Sequence, residues 1–224
     1  MTIRSNLKRL AAVSTEIPRI HYREGLESGF MDDYESAIES FDRVNYITVG
    51  SSYWTRQSQY YKANAYSQLE QYEKAIEEYK KLLATDKKNS ACWVNLGASY
   101  VDLEKFDEEA LSCFDKSLLG ASEDEDLAIR ILNGRGHSFY YMEQYPEAIK
   151  AYFEAMRINK DKVTGATLYN MGTAYAFVEL YDDAIKCFKQ AMPRGLEDDQ
   201  KKMCKEQIKR CNELQKIQKR KLSR

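Results

Sequence analysis

The stretch NMGTAYAFVELYDDAIKCFKQAM, residues 170–192, repeats a pattern that occurs four times earlier in the chain. With the alanine of YDDAIKCF as the anchor, the other copies are YESAIESF, YEKAIEEY, FDEEALSCF and YPEAIKAY. The five anchors are separated by 38, 35, 38 and 36 residues and are Ala37, Ala75, Ala110, Ala148 and Ala184. A period of this length indicates a repeat architecture, in which each repeat is one supersecondary unit.

Each anchor is preceded by a small residue at a nearly constant distance. The distance is twelve residues for Gly25, Ala63, Gly136 and Gly172, and thirteen for Gly97, because FDEEA holds one more residue than YDDA. Three residues after the small residue, four copies have an aromatic: Tyr66, Tyr100, Phe139 and Tyr175. The first copy has Ser28 there. A small residue lets the first helix of a hairpin (helix A) approach the second (helix B) closely. A lone hairpin cannot bury this face, so neighbouring hairpins must stack.

The third copy carries the most specific motif. WVNLGASY, residues 93–100, has Trp, Leu, Gly and Tyr at the spacing W-x2-L-G-x2-Y, and Ala110 and Phe114 complete A-x3-F. On these motifs the chain resembles the tetratricopeptide repeat (TPR) family over about residues 18–198. The resemblance implies an all-α fold, a right-handed α-solenoid superhelix of five TPR helical hairpins. The proline that ends each repeat of the family is missing in this chain.

The repeat register divides the chain into three parts. Residues 1–17 are an N-terminal extension, which we expect to be a short helix ending before Pro18. A capping box of Ser122 and Glu125 predicts where helix A of the fourth repeat begins, and Pro146 suits the start of its helix B. The predicted repeats span about residues 18–51, 56–89, 90–124, 129–162 and 165–198.

Residues 199–224 are predicted to be a basic amphipathic helix that caps the last hairpin. Its apolar residues recur at helical spacing: Cys204, Ile208, Cys211, Leu214 and Ile217. Residues 201–224 contain ten Lys and Arg against two Glu, a net charge of +8. Since the whole chain carries −1, the first 200 residues carry −9.

Composition excludes several classes of protein. The 224 residues contain only 3 Pro and 10 Gly, which favours long helices. No run of about 18 apolar residues is present, so we expect no membrane span, and no secretory signal is visible at the N-terminus. The five cysteines form no CxxC pair, which predicts a reduced, cytoplasmic protein without a metal site or cofactor.

The resemblance implies that the A helices line a concave groove, at positions 2, 5, 6, 9, 12 and 13 of each repeat. The candidate polar residues of this groove are Arg19, Arg23, Asn64, Asn95, Arg130, Asn133, His137 and Asn170. The candidate aromatic residues are Tyr22, Tyr60, Tyr61, Tyr140, Tyr141, Tyr169 and Phe177, and Phe30 also occupies a groove position.

These residue types suit the recognition of another polypeptide. Tyrosine combines an apolar body with a polar tip, so we expect at least three of the six tyrosines to be exposed in the groove. Asn95 and Asn170 each offer one donor and one acceptor that could hold a peptide backbone, and we expect both to face solvent. The alternative is that asparagine belongs to the general pattern of the family. We also expect Tyr61, Asn95, Arg130, Tyr141, Tyr169 and Asn170 to line one continuous surface.

The predicted function is therefore a non-catalytic scaffold or adaptor that binds an extended partner polypeptide in its groove. The principal alternative is a co-chaperone or secretion-type chaperone that recognises a peptide or a C-terminal carboxylate. Asn64, Asn95 and Arg130 match the carboxylate clamp of TPR co-chaperones, but Tyr60 and Gly134 replace its expected Lys and Arg.

Other functions have weaker support in the sequence. The phosphate-binding motif G-x-x-x-x-G-K-[ST], the motif G-x-G-x-x-G and the zinc motif H-E-x-x-H are all absent, and His21 and His137 are the only histidines, so we expect no enzyme activity. The basic helix could contact nucleic acid or an anionic membrane surface, but a solvated face on a capping helix is the favoured interpretation. Self-association through this helix is a further alternative.

Overall fold

The computed structural model describes residues 3–48, 53–103, 108–118 and 124–222, and these ranges contain eleven α-helices and no strand. Within them, no helix combines the length and the apolar character needed to cross a membrane. The predicted all-α solenoid of helical hairpins is confirmed. The helices are α1 (Ile3–Phe30), α2 (Tyr34–Ile47), α3 (Tyr53–Gln68), α4 (Tyr72–Thr85), α5 (Ser90–Asp102), α6 (Glu108–Leu118), α7 (Glu125–Tyr141), α8 (Tyr145–Ile158), α9 (Gly165–Phe177), α10 (Tyr181–Ala191) and α11 (Asp198–Leu222).

The chain forms two compact units, residues 1–104 (unit 1) and residues 105–224 (unit 2). Within each unit, every helix packs against the next helix along the chain. Alternate helices also touch, α1 with α3 and α3 with α5 in unit 1, and α7 with α9 in unit 2. Each unit therefore stacks its hairpins so that the A helices form one layer.

The close approach of helices A and B depends on the aromatic residue four positions after each anchor alanine, which we call the anchor ring. A Cβ atom added to Gly172 would lie 2.9 Å from Cε1 of Phe188. A Cβ atom added to Gly25 would lie 2.6 Å from the Phe41 ring, and one added to Gly136 would lie 2.5 Å from the Tyr152 ring. These distances are shorter than real Cβ contacts, so these three hairpins require glycine at this point, whereas the second hairpin has Ala63 there.

The turns between helices A and B share one geometry in four hairpins. An acidic residue in each turn has a positive φ between 57° and 61°: Asp32, Glu70, Glu143 and Glu179. The amide that follows it donates to the carbonyl five residues back, as from Leu180 to Tyr175 at 2.9 Å. This is the Schellman arrangement that satisfies the last carbonyls of a helix. The repeat is thus preserved in the turns as well as in the helices.

Helix α1 differs from the prediction. It runs from Ile3 to Phe30 with Pro18 inside it, so the expected helix end before Pro18 is wrong. Proline removes one helix hydrogen bond and crowds the preceding turn, which usually ends or kinks a helix. Here the side chain of Pro18 is fully buried, and this packing offsets the lost hydrogen bond.

The start of helix α7 also differs in detail. The N-cap is Asp124, whose carboxylate accepts a hydrogen bond from the Leu127 amide at 3.0 Å. The predicted cap at Ser122 is therefore wrong, and Ser122 itself lies outside the described residues. A carboxylate caps as well as a hydroxyl and adds a favourable interaction with the helix dipole. Pro146 lies in the first turn of α8, as predicted.

Helix α11 covers the last hairpin. Cys204 and Cys211 are buried in the same cluster as Ala184 and Phe188 of α10. Ile208 and Leu214 pack against the edge of this cluster. Ile217 is 48% exposed, so the apolar contact of α11 ends one turn earlier than the sequence pattern suggests.

We expect Gly172→Leu to destabilise the protein by about 1–3 kcal/mol, because the added side chain must displace the Phe188 ring. Urea unfolding and hydrogen exchange measure this change, which should concentrate in α9 and α10. Gly29→Ala is the matched control, since nothing lies within 4 Å of a Cβ atom at Gly29. Loosening of α1 and α2 in the Gly172 variant, with α9 and α10 unaffected, would contradict this account of the hairpin.

Deletion of residues 197–224 should cause aggregation or a fall in Tm, because it exposes the flank of Phe188. In a chain of this size, Tm falls by roughly 2–4 °C for each 1 kcal/mol of stability lost. Deletion of residues 216–224 alone should leave Tm nearly unchanged, since the apolar packing ends at Leu214. Light scattering and thermal unfolding compare the two truncations, and equal behaviour would show that α11 is no cap.

Candidate functional site

The predicted aromatic residues of unit 1 pack against one another. The Tyr61 ring lies 5.3 Å from Tyr60 and 5.9 Å from Tyr22, and it stacks on the anchor ring of Phe41 at 6.2 Å. All three tyrosines are half-buried. Their rings therefore contribute mainly to the contact between the first two repeats.

The expectation that at least three of the six groove tyrosines are exposed is wrong. Only Tyr141 is exposed, at 47%, and the other five are half-buried. The reason is that the A helices pack side by side, so a large ring on one helix covers its neighbour. Tyr169 in unit 2 is instead half-buried against helix B of its own hairpin, with its ring 5.5 Å from Phe188.

The predicted asparagines of unit 1 form a closed hydrogen-bond network. Asn64 Oδ1 accepts from the Tyr79 hydroxyl at 2.6 Å and from Asn95 Nδ2 at 2.9 Å. Asn95 Nδ2 also lies 3.0 Å from the Tyr60 hydroxyl, which accepts from it. The amide of Asn95 thus joins helices α3 and α5, and the expectation that it faces solvent is wrong.

Two arginines and a cleft complete the inner surface of unit 1. Arg19 and Arg23 are exposed on α1 and pair with Glu16 and Glu27 of the same helix. Between α1 and α3 lies a mostly apolar cleft of about 190 Å³. Its lining includes Leu26, Gly29, Phe30, Tyr34, Tyr61 and Gln68. Sequence reasoning missed Leu26, Gly29 and Gln68, although they fall on groove positions 9, 12 and 13.

Three of the four predicted aromatics of unit 2 come together at one end of α7 and α9. The Tyr140 ring lies 5.4 Å from Tyr141 and 6.1 Å from Phe177. Phe177, which is 56% exposed, stacks in parallel on Tyr145 at 4.5 Å. Tyr141 in turn contacts the His137 ring at 4.9 Å. We call Tyr140, Tyr141, Tyr145 and Phe177 the aromatic platform.

Four buried side-chain atoms of α7 and α8 have no hydrogen-bond partner among the described residues. They are Oδ1 of Asn133, Nε of Arg135, Oγ of Ser138 and the hydroxyl oxygen of Tyr152, of which the Arg135 atom lies 3.3 Å from Asp115 Oδ1 in an ion pair. Tyr152 belongs to the cluster against which Tyr140 and Tyr145 of the aromatic platform pack. Tyr152 is the anchor ring that corresponds to Tyr79 of unit 1, whose hydroxyl donates to Asn64. In unit 2 the position of Asn64 is taken by His137. The network that is closed in unit 1 is therefore open in unit 2.

Burial shifts the pKa values of Tyr152 and His137 in this region. Burial raises the pKa of Tyr152 far above its ordinary value, and the nearby Tyr140 and Tyr141 act in the same direction. The side chain of Asn170 acts in the opposite direction and lowers the pKa of Tyr152, although it forms no hydrogen bond with the Tyr152 hydroxyl. Burial lowers the pKa of His137, so its imidazole is neutral at pH 7. The His137 ring is thus uncharged, but charged groups lie near the site: Arg130 is exposed close to the start of α7, and the Glu143 carboxylate adds to burial in raising the pKa of Tyr145.

The residues of the carboxylate clamp are not arranged for that role. Asn64 and Asn95 are hydrogen-bonded to each other. A Cβ atom at Gly134 would lie 2.4 Å from the Phe114 ring, so no basic side chain fits there. Within the described ranges, no group of three His, Cys, Asp or Glu residues is placed to hold a metal ion.

Comparison with known families agrees with the repeat pattern. Residues 127–197 match the family described as tetratricopeptide repeat. Residues 31–117 match the family described as anaphase-promoting complex, cyclosome, subunit 3. No curated protein sequence matches the chain.

Solved structures share the fold. A thermophilic TPR protein of Thermus thermophilus is 16% identical, with a TM-score of 0.63 over 85% of this chain and 98% of its own. MamA of Desulfovibrio magneticus is 15% identical, with a TM-score of 0.68 over 79% of this chain and 93% of its own. YrrB, described as a TPR protein with an unusual peptide-binding site, is 17% identical, with a TM-score of 0.61 over 83% of this chain and 90% of its own.

Loss of the hydroxyl from the anchor rings Tyr79 and Tyr152 should change the stability of the protein in opposite directions. Tyr79→Phe should cost about 0.5–1.5 kcal/mol, because it removes a hydrogen bond to Asn64. Tyr152→Phe should stabilise the protein by about 1–3 kcal/mol, because a buried hydroxyl without a partner is unfavourable. Urea unfolding of both variants measures the difference, and an equal loss in both would mean that the Tyr152 hydroxyl is satisfied in solution.

Proposed function

We propose that this chain, which belongs to the tetratricopeptide repeat family, is a non-catalytic interaction module. It holds an extended segment of a partner polypeptide against α7 and α9. The observation that carries the proposal is the open polar network beside the aromatic platform of unit 2. A protein keeps unsatisfied buried polar groups at a cost in stability, and such groups often mark functional sites.

The chemistry of the site suits a peptide backbone. Asn133 Oδ1 accepts a hydrogen bond from a peptide N–H, and the Tyr152 hydroxyl donates one to a peptide carbonyl. Both atoms are buried in the unbound protein, so side chains around them must change rotamer before a peptide reaches them, a motion that is rapid for exposed side chains. Asn170 lies on the adjoining helix and adds a donor and an acceptor.

The aromatic platform would set the preference for side chains. Phe177 and Tyr141 offer exposed ring surface, which contributes most when an apolar side chain of the partner covers it. The His137 imidazole is neutral, and Arg130 is the charged groove residue of this unit. We therefore expect a partner segment with apolar anchors and at most one acidic group near α7. Adaptors and chaperones both bind segments of this kind.

The thiols support a non-catalytic role in a reducing, cytoplasmic setting. All five cysteines are buried thiols. Burial raises the pKa of Cys187 to about 11, so this thiol is protonated and weakly nucleophilic at pH 7. Such cysteines act as small apolar core residues.

The test uses peptides selected from a random library on the immobilised full-length protein. Asn170→Ala should weaken their binding about two- to tenfold with little change in stability, since one hydrogen bond contributes about 0.5–1.5 kcal/mol. Asn95→Ala should instead lower stability, because it breaks the network of unit 1. Titration calorimetry and urea unfolding separate the two effects.

Two control variants test whether the effect is specific to the α7–α9 site. Asn212→Ala removes an exposed asparagine of α11 whose amide bonds only within its own helix, and it should change neither property. Charge reversal at Lys219 and Lys221 should leave peptide affinity unchanged. Loss of affinity on charge reversal, with none in Asn170→Ala, would move the binding site to the basic helix.

A further inference from the structure

The cleft of unit 1 between α1 and α3 has an apolar mouth. Phe30 lines it and is 85% exposed, and the adjoining Met31 is 80% exposed. Gly29 leaves the cleft open, since nothing lies within 4 Å of a Cβ atom built there. At about 30 Å³ for each water molecule, the cleft volume of about 190 Å³ equals roughly six waters. That is enough room for one large aliphatic side chain.

The chain segments around this cleft are acidic. Residues 24–37 contain five Asp or Glu and no Lys or Arg, and residues 63–73 contain two Glu and no Lys or Arg. Asp32 accepts a hydrogen bond at 2.8 Å from the hydroxyl of Tyr34, whose ring lines the cleft. Lys74, the next basic residue along the chain, bonds Gln71 and lies over the Tyr66 ring. Arg23 and Lys62 directly precede these two segments, and Arg23 pairs with Glu27, but the seven carboxylates still leave an excess of negative charge around the apolar opening.

The end of α11 has the complementary character. Beyond Leu214, where its packing ends, the helix continues to Leu222 with Ile217 exposed. Residues 215–224 contain five Lys or Arg and no Asp or Glu. Lys216, Lys219 and Lys221 are exposed around Ile217. One exposed apolar side chain among positive charges matches one apolar cleft with a negative rim.

We infer that the end of α11 in one copy docks on the α1–α3 cleft of a second copy. Ile217 enters the cleft, and the lysines meet the acidic rim. The contact joins two different surfaces, so each bound copy still offers a free cleft or a free tail, and assemblies can grow beyond a dimer. Because the contact is small and partly electrostatic, it should be weak and sensitive to salt. It uses neither the aromatic platform nor the open network of unit 2.

The experiment is sedimentation equilibrium of the full chain over a hundredfold range of concentration, at low and high salt. The weight-average mass should rise past that of a dimer at low salt and fall towards the monomer at high salt. Gly29→Leu fills the cleft from within, and the pair Lys219→Glu and Lys221→Glu reverses the tail charge. Each of these variants should stay monomeric.

Complementation makes the test specific. Gly29→Leu keeps an intact tail and the charge-reversed variant keeps an intact cleft, so their mixture should form a dimer and stop there. Gln190→Leu and the pair Lys202→Glu with Lys205→Glu make the same chemical changes at other exposed sites and should associate like the natural chain. A monomer at every concentration, undiminished association in either variant, or no dimer in the mixture would overturn the inference. Peptide binding by the monomeric variants reports separately on the α7–α9 site.

Discussion

In three of the hairpins a glycine on helix A lies directly against a buried aromatic ring on helix B, and rings at this position also reach into the next repeat. Phe41 closes the first hairpin against Gly25 and also stacks on Tyr61 of the following A helix. Phe114 likewise lies against Gly134 of the A helix that follows it. One side chain thus determines both how a hairpin closes and how neighbouring hairpins stack. A change at this ring therefore affects two interfaces at once.

Salt bridges between neighbouring repeats set their register. The residue before the small residue of helix A pairs with the residue after the preceding anchor ring. In unit 1, Lys62 Nζ lies 2.6 Å from Asp42 Oδ1, and in unit 2, Arg135 Nε lies 3.3 Å from Asp115 Oδ1. Burial alone would lower the pKa of Lys62, but the carboxylates of Asp42 and Glu78 raise it overall. A partly buried pair of this kind penalises wrong registers, because a misplaced partner leaves a charge desolvated and unpaired.

The two units use equivalent positions for different purposes. In unit 1 the anchor ring Tyr79 and two asparagines complete each other's hydrogen bonds. In unit 2, His137 replaces one asparagine, and the hydroxyl of Tyr152 is left without a partner in the described part of the chain. The closed network stabilises its helices, whereas the open one retains polar groups that a ligand can satisfy. Under the proposed function, equivalent positions therefore serve stability in unit 1 and recognition in unit 2.

The hairpins, their number and the cap could be predicted from the sequence, because they depend on periodic and local features. Small and aromatic residues at fixed spacing identify the contact between helices A and B, and the apolar face of α11 follows from helical periodicity. Which groove residues are available depends on the tertiary structure. Asn64 and Asn95 are 31 residues apart and look alike in the sequence, yet the hydrogen bond between them holds both side chains partly buried. The burial of Pro18 and the partial burial of five groove tyrosines have the same origin, since exposure is a property of the neighbours that stacking brings together and no local pattern encodes it.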